Sequence, residues 1–362
     1  MRISVVFGGV SFEHEISIVS AIALKKVLGN DIAHFIFLDS THRFWLIPSK
    51  KMKSSFFANG EYSQKCKELF PTFAGFYYIS SVFKSRKIIP IQTAYSLIHG
   101  ADGEDGVLSG LFEFYKIPYI APRVESCVLS FNKALTKLFC LEREIKSLPY
   151  QVLHSTNFES SEDFNAFAPK FPYPVIIKPA RLGSSLGVSI VTQPKELTYA
   201  LEIAFEYDEC AIIEPFMQDI KEYNLAGCKV QGDGGETKWV FSLIEEPQKG
   251  QFLDFDKKYL DFSRTQQILK ADISEELEEK IIECFKKIYE NAFEGAIIRC
   301  DFFVLDNEVY LNEINPIPGS GANYLFEDFK GVLQNLSENL PHKRPIKISY
   351  AYIEKIQRAK GK

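Results

Sequence analysis

The first residues of the chain are apolar, Ile3-Ser-Val-Val-Phe7, and stop at Gly8 and Gly9. A short apolar run closed by glycine predicts a strand entering a turn. From Glu15 to Leu28 the period changes, and Ile16, Val19, Ala23 and Val27 recur at helical spacing. Strands at His34–Leu38 and Thr93–Ile98, a polar loop His99–Gly106, a helix at Val107–Tyr115 and a strand at Tyr119–Ile120 follow. Strands separated by helices, with polar glycine-bearing loops after the strands, predict a parallel, doubly wound sheet. The aromatic-rich stretch from Pro48 to Ile88 has no regular period and reads as an insertion with local hairpin or helix content.

Further along, a long helical pattern runs from Val124 to Ile145 through Leu129, Lys133, Leu135 and Leu138, with Pro149 at its exit. Strands at Pro174–Ile177 and Val188–Val191 flank the loop Lys178–Gly187. Two strands joined by a glycine-serine loop predict an antiparallel hairpin. A helix after Pro194, a strand at Ala211–Glu214, and strands near 222–230 and 238–244 come next, then a loop near 247–267. An amphipathic helix spans Ser274 to Ala292 on Leu277, Ile281, Phe285 and Ile288. The strands Ala296–Leu305 and Val309–Glu313 close the pattern around the turn Asp306-Asn307.

Length and charge narrow the class. At 362 residues the chain is long enough for two or three domains. With 42 basic against 47 acidic side chains, its net charge is −5, which disfavours an electrostatic nucleic-acid binder. The one basic stretch, Lys355 to Lys362, reads as a frayed tail. The longest charge-free run, Leu69–Phe83, is shorter than the roughly 20 apolar residues of a membrane span, so no membrane partner is expected. The start of the chain lacks a secretory signal pattern, and the 7 cysteines are scattered without metal-ligand spacing. Reduced cysteines packed as small hydrophobes in a cytoplasmic protein are the expectation.

Three constellations carry chemistry. In Lys178 and the loop Arg181-Leu-Gly-Ser-Ser-Leu-Gly187, glycines let backbone N–H groups converge on an anion, serines add donors, and the lysine adds a charge. Taken alone, this loop is equally a flexible hairpin turn. Arg299 and Asp301 lie two apart on one strand and so share a face, and Glu313 and Asn315 have the same spacing on the next. Across a hairpin, Asp301, Glu313 and Asn315 form an all-oxygen set suited to one or two Mg²⁺ ions. Alone, such a trio is as readily a salt-bridged surface hairpin. The segment Asn315-Pro-Ile-Pro-Gly-Ser-Gly321 fixes an irregular loop able to aim backbone N–H groups at a developing negative charge. A fixed cation, a backbone donor and metal ions around a phosphorylated carboxylate are what an acyl-phosphate ligase needs.

Seven segments together resemble the D-alanine–D-alanine ligases of the ATP-grasp superfamily, over nearly the whole chain. They are Gly8–Ser17 (GGVSFEHEIS), His99–Gly106 (HGADGEDG), Phe131-Asn-Lys133, Val175–Gly187, Lys258-Tyr259, Arg299-Cys-Asp301 and Glu313–Gly319. The resemblance implies an α/β ATP-grasp fold: an N-terminal doubly wound domain over 1–122, and ATP-grasp domains over 123–214 and 215–346 with ATP between them. Residues 347–362 would form a C-terminal extension. It implies the reaction ATP + 2 D-alanine → D-alanyl-D-alanine + ADP + phosphate for peptidoglycan synthesis, with two Mg²⁺ (or Mn²⁺), and commonly a homodimer.

By that similarity Glu13 binds the ammonium of the first D-alanine and His99 belongs to the first-substrate site, while Ser184 and Tyr259 complete a hydrogen-bonded triad with Glu13. Lys133 and Lys178 would bind phosphates and Lys258 would approach the γ-phosphate. Glu214 would accept from the adenine amino group and Glu222 from the ribose. Asp301, Glu313 and Asn315 would hold metal, and Arg299 with the Gly319 N–H would stabilise the tetrahedral intermediate. Arg299→Met is then expected to stop turnover with little effect on folding.

The chain departs from the family pattern at Pro215, where a lysine is common, in the loop Ile317–Gly321, and at Tyr324, which stands where a serine helps bind the second carboxylate. The 48–88 insertion is longer than in compact relatives. A D-alanine–D-lactate ligase is the near alternative; Tyr259, where those relatives often carry phenylalanine, favours the dipeptide. A nucleotide-binding protein without ligase activity is the distant one. A dinucleotide oxidoreductase is disfavoured because no GxGxxG follows Gly8-Gly9.

Overall fold

A computed structural model describes residues 2–80, 84–158, 160–218, 220–232, 234–247, 270–341 and 345–360. Its strands form three sheets. The first contains β1 (Ile3–Gly8), β2 (Ile32–Leu38), β3 (Phe44–Ile47), β4 (Lys67–Thr72), β5 (Gly75–Ile79), β6 (Arg86–Pro90), β7 (Ala94–Ser96) and β8 (Tyr119–Ile120), in the order β6-β5-β4-β3-β2-β1-β7-β8. Strands β2, β1, β7 and β8 run parallel, as expected of a doubly wound half. Val5 and Phe7 of β1 enter one core cluster and Val6 the other, so both faces of this strand are buried and its run is continuously apolar.

The other half of that sheet is antiparallel, β3 to β6 forming a meander. The 48–88 stretch has the local hairpin and helix content expected of it, in β4, β5 and the start of β6 and in the short helices Ser54–Ala58 and Tyr62–Lys65, whereas the strand Phe44–Ile47 before it was not expected. The connections from β2 to β3, β4 to β5 and β5 to β6 are too short for a parallel crossover, so these pairs are antiparallel. The edge strand carries exposed Arg86 and Lys87 and ends in Pro90, which protects it from further pairing.

Four helices flank and follow this sheet: α1 (His14–Leu28), α2 (Val107–Tyr115), α3 (Val124–Phe131) and α4 (Lys133–Glu142). The last two replace the single helix expected over 124–145. Asn132 breaks the run with a ψ of 108° and caps α4, its side chain accepting from the N–H groups of Ala134 and Leu135. The apolar period runs through this break, and the mid-pattern asparagine was the signal to stop.

The second sheet is antiparallel, with β9 (Gln151–His154), β10 (Val175–Pro179), β11 (Ser189–Val191) and β12 (Cys210–Pro215) in the order β11-β10-β12-β9; α5 (Leu197–Tyr207) packs on it. The expected hairpin is β10–β11. The third sheet, also antiparallel, contains β13 (Lys221–Gln231), β14 (Thr237–Phe241), β15 (Ile298–Leu305) and β16 (Glu308–Asn315), ordered β14-β13-β15-β16. It is backed by α6 (Glu275–Tyr289), whose Leu277, Ile281, Phe285 and Ile288 are buried as the period required. Helix α7 (Phe329–Glu338) follows, and α8 (Ala351–Lys360) stands where a frayed tail was expected. Its Ala, Glu, Lys, Gln and Arg are good helix formers, although every residue of it is exposed.

All 7 cysteines are unpaired thiols. Among the described residues no helix is long and apolar enough to cross a membrane.

Candidate functional site

Period two on four strands builds the site. On β10, Val175 and Ile177 enter the core beneath the second sheet, so Ile176 and Lys178 face the other way. On β13, Tyr223 and Leu225 are core while Glu222 and Asn224 face out; on β15, Cys300 and Phe302 are core while Arg299 and Asp301 face out. The outward faces of the second and third sheets meet across a cavity of about 120 Å³ lined by these polar residues.

Opposite Asp301 stands Glu313, and opposite Arg299 stands Asn315. The register then slips between Asp301 and Phe302, whose partners are Glu313 and Leu311. The extra residue, Asn312, lines the cavity beside Glu313 instead of alternating away from it. Its side chain accepts from Lys178 Nζ at 3.3 Å.

Lys178 is buried and donates at 2.7 Å to Glu214 on β12. Glu214 is only 2% exposed, and its other oxygen lies 2.5 Å from Lys137 of α4. Burial opposes the charge on Glu214, but the two lysines outweigh it and bring the carboxyl down to about 2. Burial also opposes the charge on Lys178, yet Glu214 lifts its pKa above the ordinary value. At the start of α4, Lys133 donates to the Leu182 carbonyl at 2.5 Å and lies 3.9 Å from Glu313. Burial holds its pKa below the ordinary lysine value. Its placement depends on the Asn132 break, since a continuous helix would have carried it past the hairpin loop.

Arg299 grips Asp301 through two bonds, of 2.7 and 2.9 Å, and Asn315 donates to the same carboxylate at 3.1 Å. The shared face expected from sequence is present. It also corrects the expectation that Arg299→Met leaves folding untouched: Asp301 is 3% exposed, and removing the guanidinium strands a buried charge. Asp301, Glu313 and Asn315 offer two carboxylates and an amide, oxygen donors that fit a hard divalent cation. Among the described residues no cluster of three or more His, Cys, Asp or Glu side chains has metal-site geometry, so the amide is needed to complete the set.

The hairpin loop is met by a residue from the N-terminal part of the chain. Glu13, at the entrance to α1, is buried, and the Ser184 hydroxyl donates to it from the hairpin loop. A Cβ on Gly100 or on Gly183 would come within 3.0 or 3.1 Å of the Glu13 carboxylate oxygens, tighter than most Cβ contacts, so glycine at both positions leaves the carboxylate its room. Ser184 and Ser185 have φ of 57° and 60°, a left-handed conformation costly for non-glycine residues and characteristic of functional loops. The loop before Glu13 is tied by Ser17, which accepts from Gly8 N–H, and by Asp102, which accepts from Val10 N–H. Lys258 and Tyr259 lie outside the described residues.

Tyr324 lines the cavity together with Arg299. A Cβ at Gly319 would meet nothing within 4 Å, so the approach to that backbone is open. Arg181, by contrast, turns from the cavity to Asp208 and Glu209, at 2.6 and 2.9 Å. A larger cleft of about 860 Å³ beside it has an apolar floor including Val10, Phe12 and Tyr207 and holds none of the lysines or the Asp301 cluster.

Glu104 was missed. It lies in the quoted HGADGEDG segment, but nothing in that spacing assigned it a role. Burial, and then the charge of Glu13, raise its carboxyl well above the ordinary range. A carboxyl raised on folding binds its proton more tightly in the folded chain, so stability falls as pH rises above the ordinary value of 4.5. Glu104→Gln, neutral at every pH, should match wild-type stability near pH 4 and exceed it by about 2–4 °C in Tm at pH 8. Thermal unfolding at both pH values checks this, and an equal difference at both would reject it.

Family models described as D-ala D-ala ligase N-terminus and D-ala D-ala ligase C-terminus match residues 2–122 and 139–329. The chain is 58% identical over 362 residues to a D-alanine–D-alanine ligase of Helicobacter hepaticus, covering 100% of both. It is 57% identical, again over 100% of both, to one of Wolinella succinogenes. The crystal structure of D-alanine–D-alanine ligase from Helicobacter pylori aligns with a TM-score of 0.82 at 50% identity, covering 95% of this chain and 100% of that one.

Proposed function

Because the chain belongs to the D-alanine–D-alanine ligase family, we propose that the cavity between its two antiparallel sheets is where two D-alanines are joined at the expense of ATP. The enzyme is an ATP-dependent ligase forming D-alanyl-D-alanine for peptidoglycan synthesis. The observation that carries the site assignment is the convergence on one cavity of Lys133, Lys178, Arg299, Asp301, Glu313 and Ser184, the last bonded to Glu13.

Lys133 and Lys178 neutralise phosphate oxygens, and Glu222 accepts from the ribose. Glu214 accepts from the adenine amino group through lone pairs that its two lysines leave over. Glu13 takes the ammonium of the first D-alanine and so turns its carboxylate toward the phosphates. γ-Phosphoryl transfer to that carboxylate gives an acyl phosphate and ADP. The amine of the second D-alanine, held on the Tyr324 side, attacks the carbonyl, and the tetrahedral intermediate collapses with loss of phosphate. Arg299 and the Gly319 N–H stand where negative charge develops on the carbonyl oxygen. Lys258 and Tyr259 are proposed to close over the substrates. Asp301, Glu313 and Asn315 would hold Mg²⁺ or Mn²⁺, which when bound supplies charge neutralisation on the transferring phosphoryl group.

The proposal includes domains at 1–122, 123–214 and 215–346, a cytoplasmic location and a homodimer. Phosphate release that requires both D-alanine and Mg²⁺ is the expected result of the direct assay. Release without D-alanine, or none at all, would overturn the reading. With D-alanine and D-lactate supplied together across pH, the dipeptide should dominate at neutral pH. A depsipeptide as main product there would move the chain to the D-lactate branch.

A further inference from the structure

Helix α1 sends a second polar side chain toward the site, seven residues after Glu13. Ser20 is 3% exposed, and its hydroxyl lies 2.9 Å from His99 Nε2. The other ring nitrogen, Nδ1, lies 2.8 Å from the carbonyl oxygen of Ile317. The N–H of Ser320 donates to Ser20 Oγ at 3.1 Å.

Counting donors fixes the two bonds to the backbone, and the burial of the ring fixes the third. A carbonyl only accepts, so His99 Nδ1 carries the hydrogen. A backbone N–H only donates, so Ser20 Oγ accepts from Ser320. Burial holds the imidazole neutral, pushing its pKa down to about 4, so Nε2 is bare and takes the hydrogen of the Ser20 hydroxyl. The chain of bonds closes on Ile317 and Ser320, the residues on either side of Pro318-Gly319.

The backbone gripped in this way needs holding. Ser320, Gly321 and Ala322 have φ of 52°, 67° and 54°, three left-handed residues in a row, two of which carry side chains. Such a run persists only where surrounding contacts over-determine it. Ser20 and His99 supply two of those contacts from the first sheet, one at each end of the segment containing Gly319.

We propose that Ser20 is a positioning residue for the ligase reaction: through His99 and Ser320 it holds the Ile317–Ser320 backbone so that the Gly319 N–H is aimed at the developing oxyanion. This rests on the reading of Gly319 given above. His99 is then a brace with both ring nitrogens engaged, and Ser20 sets its tautomer.

Two measurements test it. In the full-length wild-type protein, ¹⁵N spectra of the His99 ring, assigned by its loss in His99→Gln, should show a protonated Nδ1 and a bare Nε2; the opposite tautomer would overturn the proposal. Ser20→Ala should lower kcat for D-alanine-dependent phosphate release by about ten- to a hundredfold, the scale of a small misplacement of a catalytic group. KM for ATP should stay within about twofold, and Ser20→Thr, which keeps the hydroxyl, should recover most of the lost kcat. Unchanged kcat in Ser20→Ala, or kcat and ATP affinity lost together, would overturn it. Should Ser20→Ala not fold, the wild-type tautomer decides alone. A wild-type protein that releases no phosphate with D-alanine sinks the ligase reading instead, and the tautomer measurement is untouched by that failure.

Discussion

Arg299→Met should lower kcat for D-alanyl-D-alanine formation by about 10²–10³ or more, the usual cost of removing one donor from a developing oxyanion. It should also destabilise the fold by about 3–5 kcal/mol, because the guanidinium makes two bonds to a buried Asp301 that keeps its charge when its partner goes. The two effects separate in the double variant Arg299→Met/Asp301→Asn. Removing both charges should return most of the stability and none of the turnover. Urea unfolding and phosphate release measured on the same preparations check the pair. A folded Arg299→Met enzyme with near-normal turnover would remove Arg299 from the chemistry. A double variant no more stable than the single one would remove the ion pair from the stability argument.

Glu214→Gln should cost about 3–5 kcal/mol at pH 7, since two buried lysines, Lys137 and Lys178, lose the carboxylate that compensates them both. The folded carboxyl is held down to about 2 against an ordinary 4.5, so its contribution is complete above 4.5 and disappears as pH falls through 2. The gap in urea midpoint between wild type and Glu214→Gln should therefore be widest near neutrality and narrow steadily in acid. Equal midpoints at pH 7 would show that the lysines find other partners. Binding of ATP should weaken as well, because Lys178 is then no longer anchored.

Helix and strand positions were legible where one apolar period persisted between clear breakers. Val107–Tyr115 and Tyr119–Ile120 match to the residue, and the turn at Asp306-Asn307 joins the two strands foreseen around it. Legibility failed where the period carried on through a structural break, as at Asn132. In the 48–88 stretch only local hairpin or helix content was legible, without bounds, because its strands and helices are short. At the site, the shared face of Arg299 and Asp301 was readable from a spacing of two. That these two side chains would bind each other was not, because the same spacing allows both to reach toward a ligand.

Glu104, Ser20 and Lys137 show the limit most clearly. Each is an ordinary polar residue in its local segment. Glu104 acquires a raised carboxyl from its burial in the fold and then from the charge of Glu13, which another loop brings near it. Ser20 and His99 stand 79 positions apart, and His99 and Ile317 a further 218. Lys137 reads as one more position of a helical pattern until the fold lays it against Glu214.

By itself, the order of residues determined the strands and helices, the side chains available for chemistry and the family to which they belong, because periodicity and short motifs are properties of neighbours along a chain. Only the folded molecule decided which charges neutralise one another, which acid keeps its proton and which hydroxyl steadies the loop around Gly319. Those outcomes depend on burial and on distances of about 3 Å between segments remote in sequence, where exclusion of water makes each pairing strong and each unpaired group costly.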